Sequence, residues 1–271
     1  MSIFDFDLKT LELINNVPEI IMNNMQPSLH NIPVFIMMAI NIILGFMLYT
    51  NVAEVQKRDG KDPYPLFLHC VLIVWDTLCT IMMWILMFKY HFFWLWTLFA
   101  ILEPIWVWGE VKSIQAHIKT DREEELGRFV QGGNITEKQA WGYVAIMITI
   151  ASAFWISISF ILGGFANASL CITWPWTNFL FPWLCWQHWD SRAARTGTSL
   201  GNSKKVQLTI LIQITISWLP YTWFVLMMPF LQNPAFYLVG FASSALAFVN
   251  YRKVCKLPAP AAKEETAPAA E

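Results

Sequence analysis

The sequence predicts an all-α, polytopic membrane protein with seven transmembrane helices, on three observations. First, 56% of the 271 residues are hydrophobic and 14% charged, with a mean hydropathy of +0.45. A soluble domain carries about 25% charged residues, so this chain has too little charge to cover a water-exposed surface. Second, seven apolar stretches of about 20 residues, the length that crosses a bilayer core, fall at 31–51, 65–88, 91–112, 141–164, 168–189, 206–228 and 235–254. Third, the basic residues divide very unequally between alternate connectors.

Residues 1–30 contain Asp5, Asp7, Glu12 and Glu19 and lack a basic start followed by a short apolar core. They read as an amphipathic lead-in at the interface, not a cleaved signal. Span one runs into a polar connector with Lys57, Arg58 and Lys61. Span two holds Asp76 near its middle, with His69 seven positions earlier and Thr80 four later. Span three holds Glu103, Pro104 and Glu110. The run DREEE at 121–125 follows and is expected to be a solvated charge run. Span five is crowded with Trp174, Trp176, Trp183, Trp186 and Trp189 and ends near Asp190 and Arg192. The loops at 163–167 and 229–234 are short and uncharged, which argues against a receptor for a large ligand. Residues 257–271, rich in Pro, Ala and Glu, have nothing to bury and are expected to be a disordered tail. The membrane domain is therefore 31–256.

Sixteen of the 18 basic residues fall in the first, third and fifth connectors and at the C-terminal end; only Lys9 and Lys89 fall on the other side. The positive-inside rule then places the C-terminus in the cytosol and, with seven helices, the N-terminus outside or in a lumen. The polar connectors at 51–67 and 186–205 occupy equivalent places in two three-helix units, with span four between them. That pattern fits a 3+1+3 arrangement of parallel repeats.

Several classes are excluded. A net charge of −1 gives no electrostatic case for nucleic acid. The five cysteines form no CxxC pair and the five histidines no HxxxH, so no disulfide framework and no metal site are expected. Neither DDxxD nor DxDD occurs to hold magnesium on a diphosphate. Phosphate-cradling glycine motifs are missing, and residues 206–251 contain no lysine for a retinal Schiff base. No cofactor is expected.

Acids inside apolar spans are functional suspects, because a charged carboxylate at the bilayer centre costs about 2.5–3.5 kcal/mol on insertion scales. Asp76 is the deepest. It either ties helices together through an indole or hydroxyl hydrogen bond or donates a proton to a substrate. His69 shares its helix face. Glu103 precedes Pro104, which removes a backbone donor and bends the helix. Glu110, beside Lys112, reads equally as an interfacial residue or a functional one, and Asp190 as a solvated helix end or a further acid. The 15 Trp, 20 Phe and 7 Tyr exceed what two interfacial belts require. Aromatic faces stabilise cations by about 0.5–2 kcal/mol per ring, and a dry interior keeps a carbocation from water. Trp75, Trp96 and Trp106 surround the acids of spans two and three, and Trp183 and Trp186 lie on span five.

The segment YTNVAEVQKRDGKDPYPLFLHCVLIVWD, with Asn51 at the end of span one, Asp62 and Tyr64 in the connector, and Trp75 directly before Asp76, resembles the small seven-helix terpene cyclases of fungal meroterpenoid and indole-diterpene biosynthesis. The loop with Arg192, Arg195, Gly197, Thr198 and Ser199 is similar to that family's basic loop after helix five. The resemblance covers about a quarter of the chain. It implies a metal-independent cyclase in which the acid at 76 protonates the terminal epoxide of a linear prenylated substrate and carbocation cyclisation follows. It also implies an endoplasmic reticulum membrane location, a hydrophobic small-molecule substrate and other enzymes of one pathway as partners. Two features depart from the family: the acid is Asp where Glu is usual, and the last helix offers Asn250 where a second acid is expected. Glu103 or Asp190 is then the substitute, or Asp76 works with His69. The rival class is a small 3+1+3 transporter resembling PQ-loop carriers, although no Pro-Gln dipeptide occurs in either half.

Overall fold

A computed structural model describes residues 13 and 15–260. These are all-helical: 81% helix, with no strand among the described residues. Seven helices have 14 residues or more: α1 Ile32–Asp59, α2 Leu66–Lys89, α3 Trp94–Thr120, α4 Glu137–Ile161, α5 Trp174–Thr196, α6 Lys204–Ser217 and α7 Pro234–Lys256. Each falls on one of the seven predicted stretches. Four of them, α1 with the turn before it, α2, α4 and α7, are long and apolar enough to cross a membrane. In α3 the acids and tryptophans lower the hydropathy, and in α5 so do Asn, Gln, His and a second tryptophan cluster.

The sixth stretch departs from expectation. In place of one helix over 206–228, α6 stops at Ser217 and the chain turns through 218–222. It then re-forms as a short helix, Trp223–Met227. Pro220 is the reason: it has no N–H to donate back, and its ring disfavours helical backbone at Leu219. At 14 residues α6 is about 21 Å long, short of a bilayer core of about 30 Å.

Local signals fix several helix starts. Thr136 and Gln139 form a reciprocal capping box on α4, Ser203 caps α6 through the Val206 N–H, and Asn233 caps α7 through the Phe236 N–H. The bundle is apolar inside and out. Ile36, Ile43, Ile101, Ile150 and Phe160 are exposed on the outer faces, and a few polar groups, Asp76, Glu103, Glu110, His69 and His117, are buried within an otherwise apolar core. Apolar outer faces suit a lipid surround. Helix α2 packs along α3 and α4, and α6 packs against α1, α5 and α7.

The lead-in is seen from its C-terminal part. Its helix Val17–Asn24 buries Val17, Pro18 and Ile21, and Asn24 donates to the Met227 carbonyl at 3.2 Å. It is thus docked on the bundle at the end carrying Trp223–Met227. The remainder of the lead-in, 1–12 and 14, and the tail from 261 lie outside the described residues.

Candidate active site

A cavity enclosing about 930 Å³ of empty space, its mouth included, lies within the bundle. α1, α2, α3, α5, α6 and the short helix Trp223–Met227 all contribute to its lining. One wall is continuous aromatic surface. Phe99 stacks on Trp223 at 6.0 Å and meets Trp174 at 4.8 Å, Trp174 meets Trp223 at 5.3 Å, and Trp223 meets Phe224 at 4.3 Å. Trp75 and Trp106 also line the space. Two carboxyl groups face it, Asp76 from α2 and Glu103 from α3, both buried, and the lining contains no Lys, Arg or His.

Local structure explains how these groups are held. Thr80 turns its hydroxyl to the Asp76 backbone carbonyl at 2.9 Å, not to its carboxyl. Pro104 leaves the Ala100 carbonyl without its helical donor, and the Trp84 indole N–H fills that place at 3.1 Å. Glu103, one residue earlier, keeps a buried Oε2 with no protein partner. Trp75 donates to Thr173 at 3.0 Å, which fixes its ring across the α2–α5 junction.

Not all expected site residues meet here. Asn51 donates to Thr209 at 2.9 Å, joining α1 to α6. Trp96 is fully buried behind the lining and packs on Phe93. Trp183 and Trp186 are half-exposed; the first donates to Ser243 and the second lies over Lys253. Asp190 pairs with Lys253 at 2.6 Å beside a second cavity near Asn250. Meanwhile Phe99, Trp223, Phe224 and Tyr49 enter the lining unannounced by the sequence reading. Trp223 could have been found only by reading Pro220 as a break that folds the following residues inward.

His69 does not turn to Asp76. Its Nδ1 lies 2.5 Å from Glu110 Oε2, and its Nε2 lies 3.3 Å from Asp62 Oδ1. Glu110 accepts from the Tyr49 hydroxyl at 2.7 Å and is buried, so it is no interfacial residue. These groups begin a charged layer at the end where the basic connectors meet. Asp121 accepts from Lys61 at 2.6 Å and from the Asp62 N–H at 3.2 Å. Glu124 pairs with Lys61, Arg192 and Arg195. Glu125 accepts from the Leu66 N–H and lies 3.0 Å from His117 Nε2. The expectation of a solvated DREEE run is therefore wrong: Asp121, Glu124 and Glu125 fold inward because cations and backbone donors distant in sequence await them. Arg192 also donates to the Asp62 carbonyl at 2.6 Å. Gly201, with φ 68°, gives its N–H to Asp59 at 2.7 Å, and a Cβ there would sit 2.2 Å from the Arg192 guanidinium.

Two triads in this layer, Asp62–His69–His117 and His117–Asp121–Glu125, bring metal-ligand atom types together. Neither has HxxxH spacing: α2, α3 and the first connector supply the first triad jointly, and the second sets one histidine beside two acids. Asp121 and Glu125 are already engaged with lysine, imidazole and backbone donors. Both His117 nitrogens face backbone carbonyls as well, Ser113 at 3.1 Å and Tyr64 at 2.9 Å. The charges set the ionisation of the connectors. Burial pushes the Asp62 carboxyl up, but the His69 and His117 rings outweigh it and hold it below the usual range. Burial also opposes ionised Glu124, and Arg192 with Lys61 outweighs it, bringing the group down to about 2.

No protein-family model, curated protein or solved structure matches this chain.

Proposed function

We propose that the protein is a membrane terpene cyclase that opens the terminal epoxide of a linear prenylated substrate and guides its cyclisation. One observation carries the reading: two buried carboxyl groups face a cavity walled by aromatic rings and free of basic side chains. The Asp76 O–H proton passes to the epoxide oxygen, a C–O bond breaks, and a carbocation forms. Alkene π electrons close the rings as C–C bonds, and the last cation loses a proton. Phe99, Trp174 and Trp223 offer faces to the moving charge, water is kept out, and Glu103 is the second acid. No metal or organic cofactor takes part.

In this reading all seven helices cross the endoplasmic reticulum membrane. Helix α6 and the helix Trp223–Met227 complete the sixth crossing, with the charged layer and C-terminus cytosolic and the N-terminus lumenal. The 3+1+3 arrangement draws support from helix packing: α2 with α3 and α6 with α7 are the two most extensive pairs and occupy equivalent places in the halves. The substrate enters from the bilayer, delivered by other enzymes of the same pathway.

Microsomes carrying the protein are expected to cyclise an epoxide-terminated farnesyl or geranylgeranyl arene, and Asp76→Asn to abolish it. Uptake of solute into liposomes with no conversion of the epoxide would instead favour the 3+1+3 carrier.

A further inference from the structure

Tyr49 reaches the cavity on one side and hydrogen-bonds Glu110 on the other. From Glu110 a line of titratable groups continues to the basic end of the bundle: His69, Asp62, His117 and Glu125. The steps are 2.7 Å from Tyr49 to Glu110, 2.5 Å on to His69, 3.3 Å to Asp62, 3.8 Å to His117 and 3.0 Å to Glu125. Carboxylate and imidazole alternate throughout, and both ring nitrogens of each histidine face only acceptors. Imidazole is the one side chain that accepts a proton at one nitrogen while releasing another from the second. Chains of Asp, Glu and His inside membrane proteins are the usual means of moving protons.

We propose that Glu125, His117, Asp62, His69, Glu110 and Tyr49 form a proton relay from the charged face of the bundle to the aromatic cavity. The relay deepens the cyclase reading and rests on it for the need of a proton at Asp76. Each turnover leaves Asp76 as a carboxylate and frees one proton from the final cation. The relay carries a proton between external water and the cavity, making and breaking only O–H and N–H bonds. Tyr49 and Asp76 line the same cavity, and between turnovers, before substrate displaces it, a water molecule accepts the proton from the Tyr49 hydroxyl and gives one to the Asp76 carboxylate. The two links at Asp62 are long, and neither His69 Nε2 nor Glu125 Oε1 has a hydrogen-bond partner in this arrangement, so a proton crosses these two links and the His117–Glu125 step when an imidazole ring rocks towards the carboxylate.

Asp62 is held between them by Gln56, the Tyr64 N–H and, through its own backbone, Asp121 and Arg192. Lys61, the next residue in the chain, pairs with Asp121 and Glu124. Gly109 makes the cavity end possible: a Cβ there would lie 2.9 Å from the Tyr49 ring, which must pass this point to reach Glu110. A helix-to-helix staple alone would need neither the alternation nor an outlet into the cavity.

The test follows hydrogen–deuterium exchange of the cavity carboxyl by infrared spectroscopy, on the full chain in lipid nanodiscs without substrate. Asp76→Asn identifies the band. Tyr49→Phe and Glu110→Gln are expected to slow its exchange by an order of magnitude or more, and Gly109→Ala to do so without removing any titratable group. Asp190→Asn is expected to leave it as in the native chain. Unchanged exchange in folded Tyr49→Phe and Glu110→Gln protein overturns the relay while leaving the cyclase reading standing. Slowed exchange with no turnover of any epoxide overturns the cyclase reading alone. A spectrum with no protonated carboxyl assignable to Asp76 overturns both.

Discussion

The aromatic cavity and the charged layer are built from the same helices, and both bury carboxyl groups, yet they treat them oppositely. In the layer, Asp121, Glu124 and Glu125 each meet a cation or imidazole and, for two of them, a backbone N–H. In the cavity, Asp76 and Glu103 sit among tryptophans with no basic residue in the lining. Matching cations and donors offset the cost of burying an acid, which then ties elements of the bundle together. An acid with no matching cation is costly to bury, and its persistence in a cavity marks it for chemistry.

The contrast can be broken or sharpened by substitution. The largest effect is expected at Asp76→Asn. It should lower cyclisation by about 10²–10⁴-fold, the range for loss of a general acid, with little change in thermal unfolding; an equal loss of stability would make Asp76 a structural tie. Arg192→Met should do the reverse. It takes one of three cations from Glu124 and the guanidinium donor from the buried Asp62 carbonyl, and a buried acceptor left unsatisfied costs about 1–3 kcal/mol, visible as a lowered unfolding midpoint.

Acid should reach the same layer. Glu124 lies at about 2 in the folded protein against an ordinary 4.5, so its contribution is complete above 4.5 and is lost as pH falls towards 2. For His117, burial lowers the value, but Asp62 and Glu125 outweigh it and raise it above 6.5. Its contribution is therefore complete below 6.5 and lost as pH rises through the raised value. Stability measured against pH should show a plateau between these limits, and Arg192→Met should shift the acid limb upward.

Smaller effects follow. Trp223→Leu removes one face of the wall and should cost about 0.5–2 kcal/mol of cation stabilisation, read as slower cyclisation and more prematurely quenched product. Asp190→Asn breaks an exposed pair with Lys253; it should change stability by less than about 1 kcal/mol and leave cyclisation unchanged. A large activity loss there would move the second acid from Glu103 to Asp190.

What could be read along the chain was whatever depends on runs and local spacing. The apolar stretches, the isolated acids at 76 and 103 and the basic connectors are all one-dimensional signals, because crossing a bilayer is a matter of length and composition. The partners of those residues are not. Glu110 beside Lys112 looks like a helix end, and DREEE looks solvated. Nothing local says that Tyr49, 61 positions earlier, or Arg192, 68 positions later than Glu124, will meet them. Trp96, Trp183 and Trp186 show the same gap in reverse: they are near the acids or in the crowded span by sequence, but face elsewhere in the bundle.

The sequence by itself determined that the chain is helical, that its outside is apolar and that a few acids are buried in it. Only the tertiary structure decided which acids are neutralised and which are left facing a cavity. The energy of a buried charge is set by groups within a few ångströms in space, and helix packing, together with the break at Pro220, chooses those groups.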